Sequence, residues 1–324
     1  MANGLLKRMG GEVLGTFILL LFGCGVVANV GLAPRLASAG YDWLAITMGW
    51  ALGVVIAIYV VGGVSGAHIN PAVTIALAAK KKFPLSEVIP YILAQTFGAF
   101  LGAAAAFLAY HDGMVAAGLP NIYCTGPGSV FGQAFWGSAT GIASSGQYSM
   151  LNSMFTEFIG TMVLLWGIMA AGDSRNMGLG KTTAPIIVGA TVLGIGLVLG
   201  GPTGYAINPA RDFGPRLFGA LSGTTGLFGA DLYWLIVPIL TTIAGGLFGI
   251  FTYDWFVTAA LPKSKEEEKP AVAPVAAQAK AIAAPTAKAA PVPSGVKQIG
   301  RVKIRYGVYG RIDQIGERLT QKRE

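Results

Sequence analysis

The tripeptide Asn-Pro-Ala occurs twice, as Asn70-Pro71-Ala72 and Asn208-Pro209-Ala210, with the two asparagines 138 positions apart. Each follows a Gly-rich approach, "GAHINPAVTIALA" at 66–78 and "GYAINPARDFGPRLFG" at 204–219. Asn at a cap and Pro at the first helical position are strong helix-start chemistry. From Asn70 to about Ala79 that helix has ~10 residues and ~15 Å, half of a ~30 Å hydrocarbon core. Such a start offers a side-chain amide at a positive dipole end. It suits a neutral, hydrogen-bonding solute and repels cations, protons included.

A single Asn-Pro is an ordinary helix cap, but this chain repeats more than the tripeptide. "EVLGTFILLLFG" (12–23) aligns with "EFIGTMVLLWGI" (157–168), pairing Glu12 with Glu157, Gly15 with Gly160 and Thr16 with Thr161. Reactive chemistry is not indicated. No Ser, Cys and His stand at nucleophile spacing, and there is no Gly-rich phosphate loop or metal cluster. The expectation is therefore no enzymatic activity, no cofactor and no metal. Cys24, in an apolar run, and Cys124, in a polar loop, lack redox or metal spacing and read as unpaired thiols.

The elements that must hold these motifs are membrane spans. The chain is 53% hydrophobic and 12% charged, with 47 glycines, and its mean hydropathy is +0.61. A soluble surface needs more charge, and Gly lets membrane helices approach closely. Apolar runs long enough to span occur near 11–31, 43–63, 87–110, 153–172, 183–200 and 233–256. The first, with Lys7 and Arg8 before it, resembles a signal peptide but is long enough to span and reads as a retained helix. Six spans put both termini on one side. Lys80, Lys81, Lys82, Arg175 and Lys181 share that side with Lys7 and Arg8, against Arg35, Asp112 and Asp231 opposite, so both termini are expected in the cytoplasm.

Each half thus has an opening span with a Glu, a second span, an Asn-Pro-Ala segment and a third span. Three is odd, so the second copy enters from the opposite face, an inverted repeat of about 8–110 and 150–258. The expected fold is an all-α membrane protein of six transmembrane helices plus two re-entrant half-helices. Loop backbone cannot face lipid, so the approach segments must line an aqueous path, and inversion brings Asn70 and Asn208 together at its centre.

The net charge of +8 belongs to the end of the chain. Residues 1–262 hold 10 Lys/Arg against 9 Asp/Glu, while the remainder holds 13 against 6, which gives no argument for nucleic acid. An Ala/Pro/Lys-rich stretch over 263–300 reads as a disordered linker. The basic segment 301–324 could be a small β element, a contact with anionic lipid or a solvated appendage.

Through "SGAHINPAVT" and "NPARDFGPRLF", the chain from about 8 to 258 resembles the major intrinsic protein family, the aquaporins and glycerol facilitators. The resemblance implies an aquaporin-like channel in residues 1–262, a multi-pass protein of the cell (inner) membrane and a homotetramer in membrane lipid. It implies a selectivity filter of Trp50, Gly196, Tyr205 and Arg211. Water-selective members usually carry His where this chain has Gly196, so Gly leaves room beside two aromatic faces and a fixed guanidinium. Tyr205 departs from the Phe common in bacterial glycerol facilitators. The backbone carbonyls of Gly66, Ala67, His68, Gly204, Tyr205 and Ala206 are implied as an acceptor ladder, aimed by Glu12 and Glu157. Tyr110, Asp212, Arg216, Pro238 and Ile239 match the polyol-conducting branch.

An aromatic corner facing a guanidinium suits a molecule with C–H groups on one side and hydroxyls on the other. The reading is a passive channel for glycerol and similar small polyols, with water as co-permeant and protons and ions excluded. The alternatives are a channel mainly for water, urea or another small neutral solute, or a secondary transporter built on the same kind of repeat. A transporter needs a titratable midplane site, for which only Glu12, Glu157 and Asp212 are candidates.

Overall fold

The computed structural model describes residues 2–32, 42–126, 148–177, 180–229 and 231–262. Arg35, the linker at 263–300 and the basic segment 301–324 lie outside the described residues. The elements are α1 (Ala2–Leu32), α2 (Trp43–Ser65), α3 (Pro71–Ala79), α4 (Val88–Ala109), the short α5 (His111–Ala116), α6 (Met150–Gly172), α7 (Gly180–Leu199), α8 (Pro209–Leu221) and α9 (Thr242–Phe256). Among the described residues, six helices are long and apolar enough to cross a membrane, with spans at Gly4–Leu32, Trp43–Ser65, Leu85–Ala109, Met150–Gly172, Thr182–Leu199 and Tyr233–Ala260. α1 begins well before the apolar run, because residues outside the hydrocarbon can stay helical whatever their polarity.

Packing between elements is reciprocal, as an approximate two-fold relation between the repeats requires. α1 packs on α2 and α4, and its counterpart α6 packs on α7 and α9. The half-helices cross over, α3 against α9 and α8 against α4. Glycines make the long helix pairs close. A Cβ at Gly98 would lie 2.3 Å from the Val13 carbonyl oxygen, and one at Gly245 would lie 2.3 Å from that of Phe158. Gly102 and Gly249, one turn on, face the carbonyls of Phe17 and Met162 at 2.6 Å in each case. These are small-xxx-small seams, which bring helix backbones together where lipid supplies no hydrophobic drive.

The last span departs from simple helix. Tyr233–Leu235 leads into a π-helical stretch, Ile236–Thr241, before α9. Pro238 sits inside it, has no N–H to donate and would crowd the preceding turn of a regular helix. The widened turn relieves that crowding. The Thr241 hydroxyl donates to the Ile236 carbonyl at 2.8 Å, and that of Thr242 to Pro238 at 2.8 Å.

Candidate functional site

The matched Glu-x-x-Gly-Thr segments have one explanation in both repeats. Glu12 accepts the amides of His68 at 3.0 Å and Ile69 at 2.6 Å. Glu157 accepts those of Ala206 and Ile207, both at 2.7 Å. Gly15 and Gly160 let the loops come near, since a Cβ there would lie 2.8 Å from Ile69 Cγ2 and 3.0 Å from Ile207 Cγ2. Thr16 and Thr161 return their hydroxyls to the carbonyls of Glu12 and Glu157.

The approach segments hold a backbone that side chains disfavour. Gly66 and Gly204 have φ of 86° and 89°, and the non-glycine Ala67, Ile69, Tyr205 and Ile207 have φ of 50°, 44°, 42° and 45°. Each such residue costs on the order of 1–3 kcal/mol and persists only where its surroundings dictate it. The buried carboxylates do so, helped by Ser65 and Thr203, whose hydroxyls accept the amides of Ala67 at 3.0 Å and Tyr205 at 3.1 Å. The first loop has extra bracing. Gln95 donates to Glu12 at 2.7 Å and to Thr74 at 3.0 Å, and the His68 ring nitrogen lies 3.1 Å from the Thr74 hydroxyl.

Where the extended loops end, the half-helices begin nose to nose. Asn70 caps α3 by accepting from the amide of Ala72 at 2.9 Å. Asn208 caps α8 by accepting from Ala210 at 3.0 Å and Arg211 at 3.2 Å. Pro71 and Pro209 occupy the first turns. Each asparagine also donates across the repeat, Asn70 to the Ile207 carbonyl at 2.9 Å and Asn208 to that of Ile69 at 2.8 Å.

A cavity of about 250 Å³ runs past these groups. Its lining includes Gly66 to Asn70, Tyr205 to Asn208, and Arg211. It also includes the apolar side chains of Val54, Ile58, Leu164, Ile168, Val188 and Val192. Trp50, Tyr205 and Arg211 stand together along it, buried to 3%, 3% and 2% exposure. The Arg211 guanidinium lies over the Trp50 ring at 3.9 Å, and its Nη1 donates to the Tyr123 carbonyl at 3.3 Å. Neither residue is a lipid-facing anchor.

The remaining residues singled out in the sequence stand behind this surface. Gly196 does not line the cavity. The room it leaves is filled by the Tyr205 ring, whose Cζ would lie 2.8 Å from a Cβ at 196. Gly204 donates back to Gly200 at 2.8 Å and is likewise outside the lining. Asp212 accepts the amide of Thr125 at 2.8 Å and its hydroxyl at 2.5 Å, and accepts from Arg216 at 2.8 Å. Arg216 donates in turn to the carbonyls of Thr125 and Leu227. Together they fasten the segment that presents Tyr123 to Arg211. Tyr110 ends α4, donating its amide to the carbonyls of Ala106 and Phe107 at 3.2 Å each, away from the cavity. Pro238 and Ile239 lie in the π-helical stretch. Cys24 and Cys124 are free and buried.

Several of these residues were not read from the sequence. Ser65 and Thr203 have the same 138-residue offset as the asparagines, so the repeat alone could have exposed them. Tyr123 acts through its carbonyl, which no side-chain pattern announces.

With this geometry in view, the resemblance can be tested against known proteins. The family profile described as Major intrinsic protein matches residues 2–253. The probable glycerol uptake facilitator protein of Thermotoga maritima is 43% identical over 250 residues, covering 75% of this chain and 97% of that protein. The glycerol uptake facilitator protein of Bacillus subtilis is 41% identical over 247 residues, covering 75% and 82%. The X-ray structure of the aquaglyceroporin from Plasmodium falciparum superposes with a TM-score of 0.68 at 29% identity, covering 79% of this chain and 98% of that one. The chain belongs to the major intrinsic protein family, a family of membrane channels.

Proposed function

We propose that this protein is a passive transmembrane channel for glycerol and similar small uncharged solutes, with water as co-permeant. The observation that carries the reading is the mixed lining of the cavity, in which hydrogen-bonding backbone, Asn70, Asn208 and Arg211 stand with branched aliphatic side chains. A solute that carries both hydroxyls and C–H groups finds partners for each in such a lining. The relatives named as glycerol uptake facilitators agree with it.

We assign the filter to Trp50, Tyr205 and Arg211, with Gly196 admitting the Tyr205 ring. The carbonyls of Gly66, Ala67, His68, Tyr205 and Ala206 form the acceptor ladder; Gly204, outside the lining, is not part of it. Two helix N-termini and Arg211 keep protons and cations out. Glu12, Glu157 and Asp212 are hydrogen-bonded to the fold and none lines the cavity, which speaks against a transporter's midplane ion site. The channel works as a homotetramer in the lipid of the cell membrane, with both termini cytoplasmic.

Stopped-flow light scattering on proteoliposomes tests this directly. Glycerol should enter faster than into protein-free vesicles, without saturating at low concentration and without a proton gradient. Glycerol entry no faster than through bare lipid would overturn the assignment. Entry driven by a proton gradient would establish a transporter instead.

A further inference from the structure

Trp43, which no motif singles out, lies directly behind the Tyr205 ring. The two rings meet edge to face, with centroids 5.8 Å apart and planes at 82°. The Trp43 indole N–H donates to the Gly196 carbonyl at 3.1 Å. Gly200 makes this placement possible, because a Cβ there would lie 2.2 Å from Trp43 Cζ2. Trp43 therefore touches the Tyr205 ring and the backbone of the helix on which that ring rests.

The position of Trp43 is itself fixed. It is the first residue of α2, and Asp42 caps that helix by accepting the amide of Leu44 at 3.0 Å. Seven residues on, at two helical turns, Trp50 lies on the same face and carries Arg211 at 3.9 Å. One face of α2 thus supports both sides of the aromatic corner. Tyr205, by contrast, sits on a loop in the left-handed region with φ of 42°, so helix geometry does not hold its ring. Gly196 adjoins the ring at Cζ and Cε1, and Trp43 meets it edge to face.

We propose that Trp43 is a positioning residue of the filter. It holds the Tyr205 ring against Gly196 and so sets the aromatic wall on which the carbon backbone of a polyol slides. The inference rests on the filter assignment above. Edge-to-face pairs and indole hydrogen bonds are each worth enough to hold a ring in one orientation. With Trp43 gone, the ring gains room on that side and the wall loses its fixed shape. Water needs no such wall, so the effect falls on glycerol.

The test is a double-mutant cycle read as the glycerol-to-water permeability ratio per reconstituted channel. In the wild-type background, Trp43→Leu should lower that ratio at least ~3-fold, the size of a modest coupling. Trp43→Phe, which keeps a ring edge but loses the indole donor, should lower it less. In a Tyr205→Ala background, with the ring already gone, neither change should move the ratio further. A merely structural role would reduce yield or melting temperature in both backgrounds and leave the ratio per channel alone. Should Trp43→Leu fail to fold, Trp43→Phe completes the cycle. Equal shifts in both backgrounds, or no shift in wild type where Tyr205→Ala gives one, overturn the inference. If Tyr205→Ala itself leaves the ratio unchanged, the filter assignment fails and this inference with it.

Discussion

The side-chain amide of Asn70 donates to the main-chain carbonyl of Ile207, 137 residues away, at 2.9 Å. Asn208 makes the reciprocal bond to Ile69 at 2.8 Å. Each asparagine therefore accepts from its own helix and ties the opposite loop with one amide hydrogen, keeping a second for solute. Asn208→Asp tests what this junction does. A carboxylate cannot donate to Ile69, and its charge opposes the positive ends of two half-helices. Glycerol flux should fall, and proton leak should rise at least ~10-fold, which needs only ~1.4 kcal/mol at the barrier. A pH-sensitive dye trapped in vesicles reads the leak. Vesicles that hold a gradient as well as wild type would show that the dipole ends do not exclude protons.

Glu157 accepts two loop amides and the Thr203 hydroxyl, all buried. Glu157→Ala leaves three donors without an acceptor, each costing ~1–3 kcal/mol. We expect a lower melting temperature, poorer yield and less flux per channel. Glu12→Ala should behave alike, because it removes the equivalent bonds at His68 and Ile69. Normal melting together with normal conductance would rule out the bracing role.

The half-helices and the paired glutamates were legible because they are side-chain patterns that recur: a capping Asn, a Pro at the first turn, a Glu in matched register. The backbone of the approaches was not. Ile69 and Ile207 are β-branched residues in the left-handed region, which local preference argues against, and bonds from distant groups, the carboxylates at their amides and the asparagines at their carbonyls, hold them there. The π-helical stretch was hidden for a related reason. Pro238 marks a break in regular helix, but whether it kinks or widens the turn depends on Thr241 and Thr242 beyond it. Gly196 was read as empty space, and its neighbour's ring fills that space.

Asp212 and Arg216 form a buried pair that fastens the segment carrying Tyr123. Removing one charge from such a pair typically costs ~3–5 kcal/mol, since the other is left uncompensated. Asp212→Asn should therefore lower yield and melting temperature sharply. Its surviving channels should also show altered solute selectivity, through loss of the Tyr123 support for Arg211. A variant that melts like wild type would mean the pair is solvated and not structural.

The cavity and both loops are built from residues 19–211. Deleting residues 263–324 should leave glycerol and water permeability per channel unchanged. Stopped-flow rates normalised to reconstituted protein check this. A large change in unit permeability would make that segment a gate.

Gly196 is where selectivity is most exposed to a single change. A Cβ there would lie 2.8 Å from both Thr47 Cγ2 and Tyr205 Cζ, and 3.1 Å from Tyr205 Cε1. Gly196→His cannot be accommodated without moving the Tyr205 ring, which is packed between Gly196 and Trp43. A displaced ring has the cavity as its open side, so the aromatic wall moves toward Arg211 and the passage narrows. The imidazole also adds a hydrogen-bond group beside the Tyr205 ring. Glycerol loses clearance and its apolar contact together, whereas water needs only donors, acceptors and a narrower bore. A tenfold change in rate needs only ~1.4 kcal/mol at the barrier to passage, which a steric narrowing at the constriction readily supplies. Glycerol flux should fall at least ~10-fold while water flux falls much less. If the two decline in parallel, the Tyr205 ring does not form the constriction, and selectivity must arise along the carbonyl ladder instead.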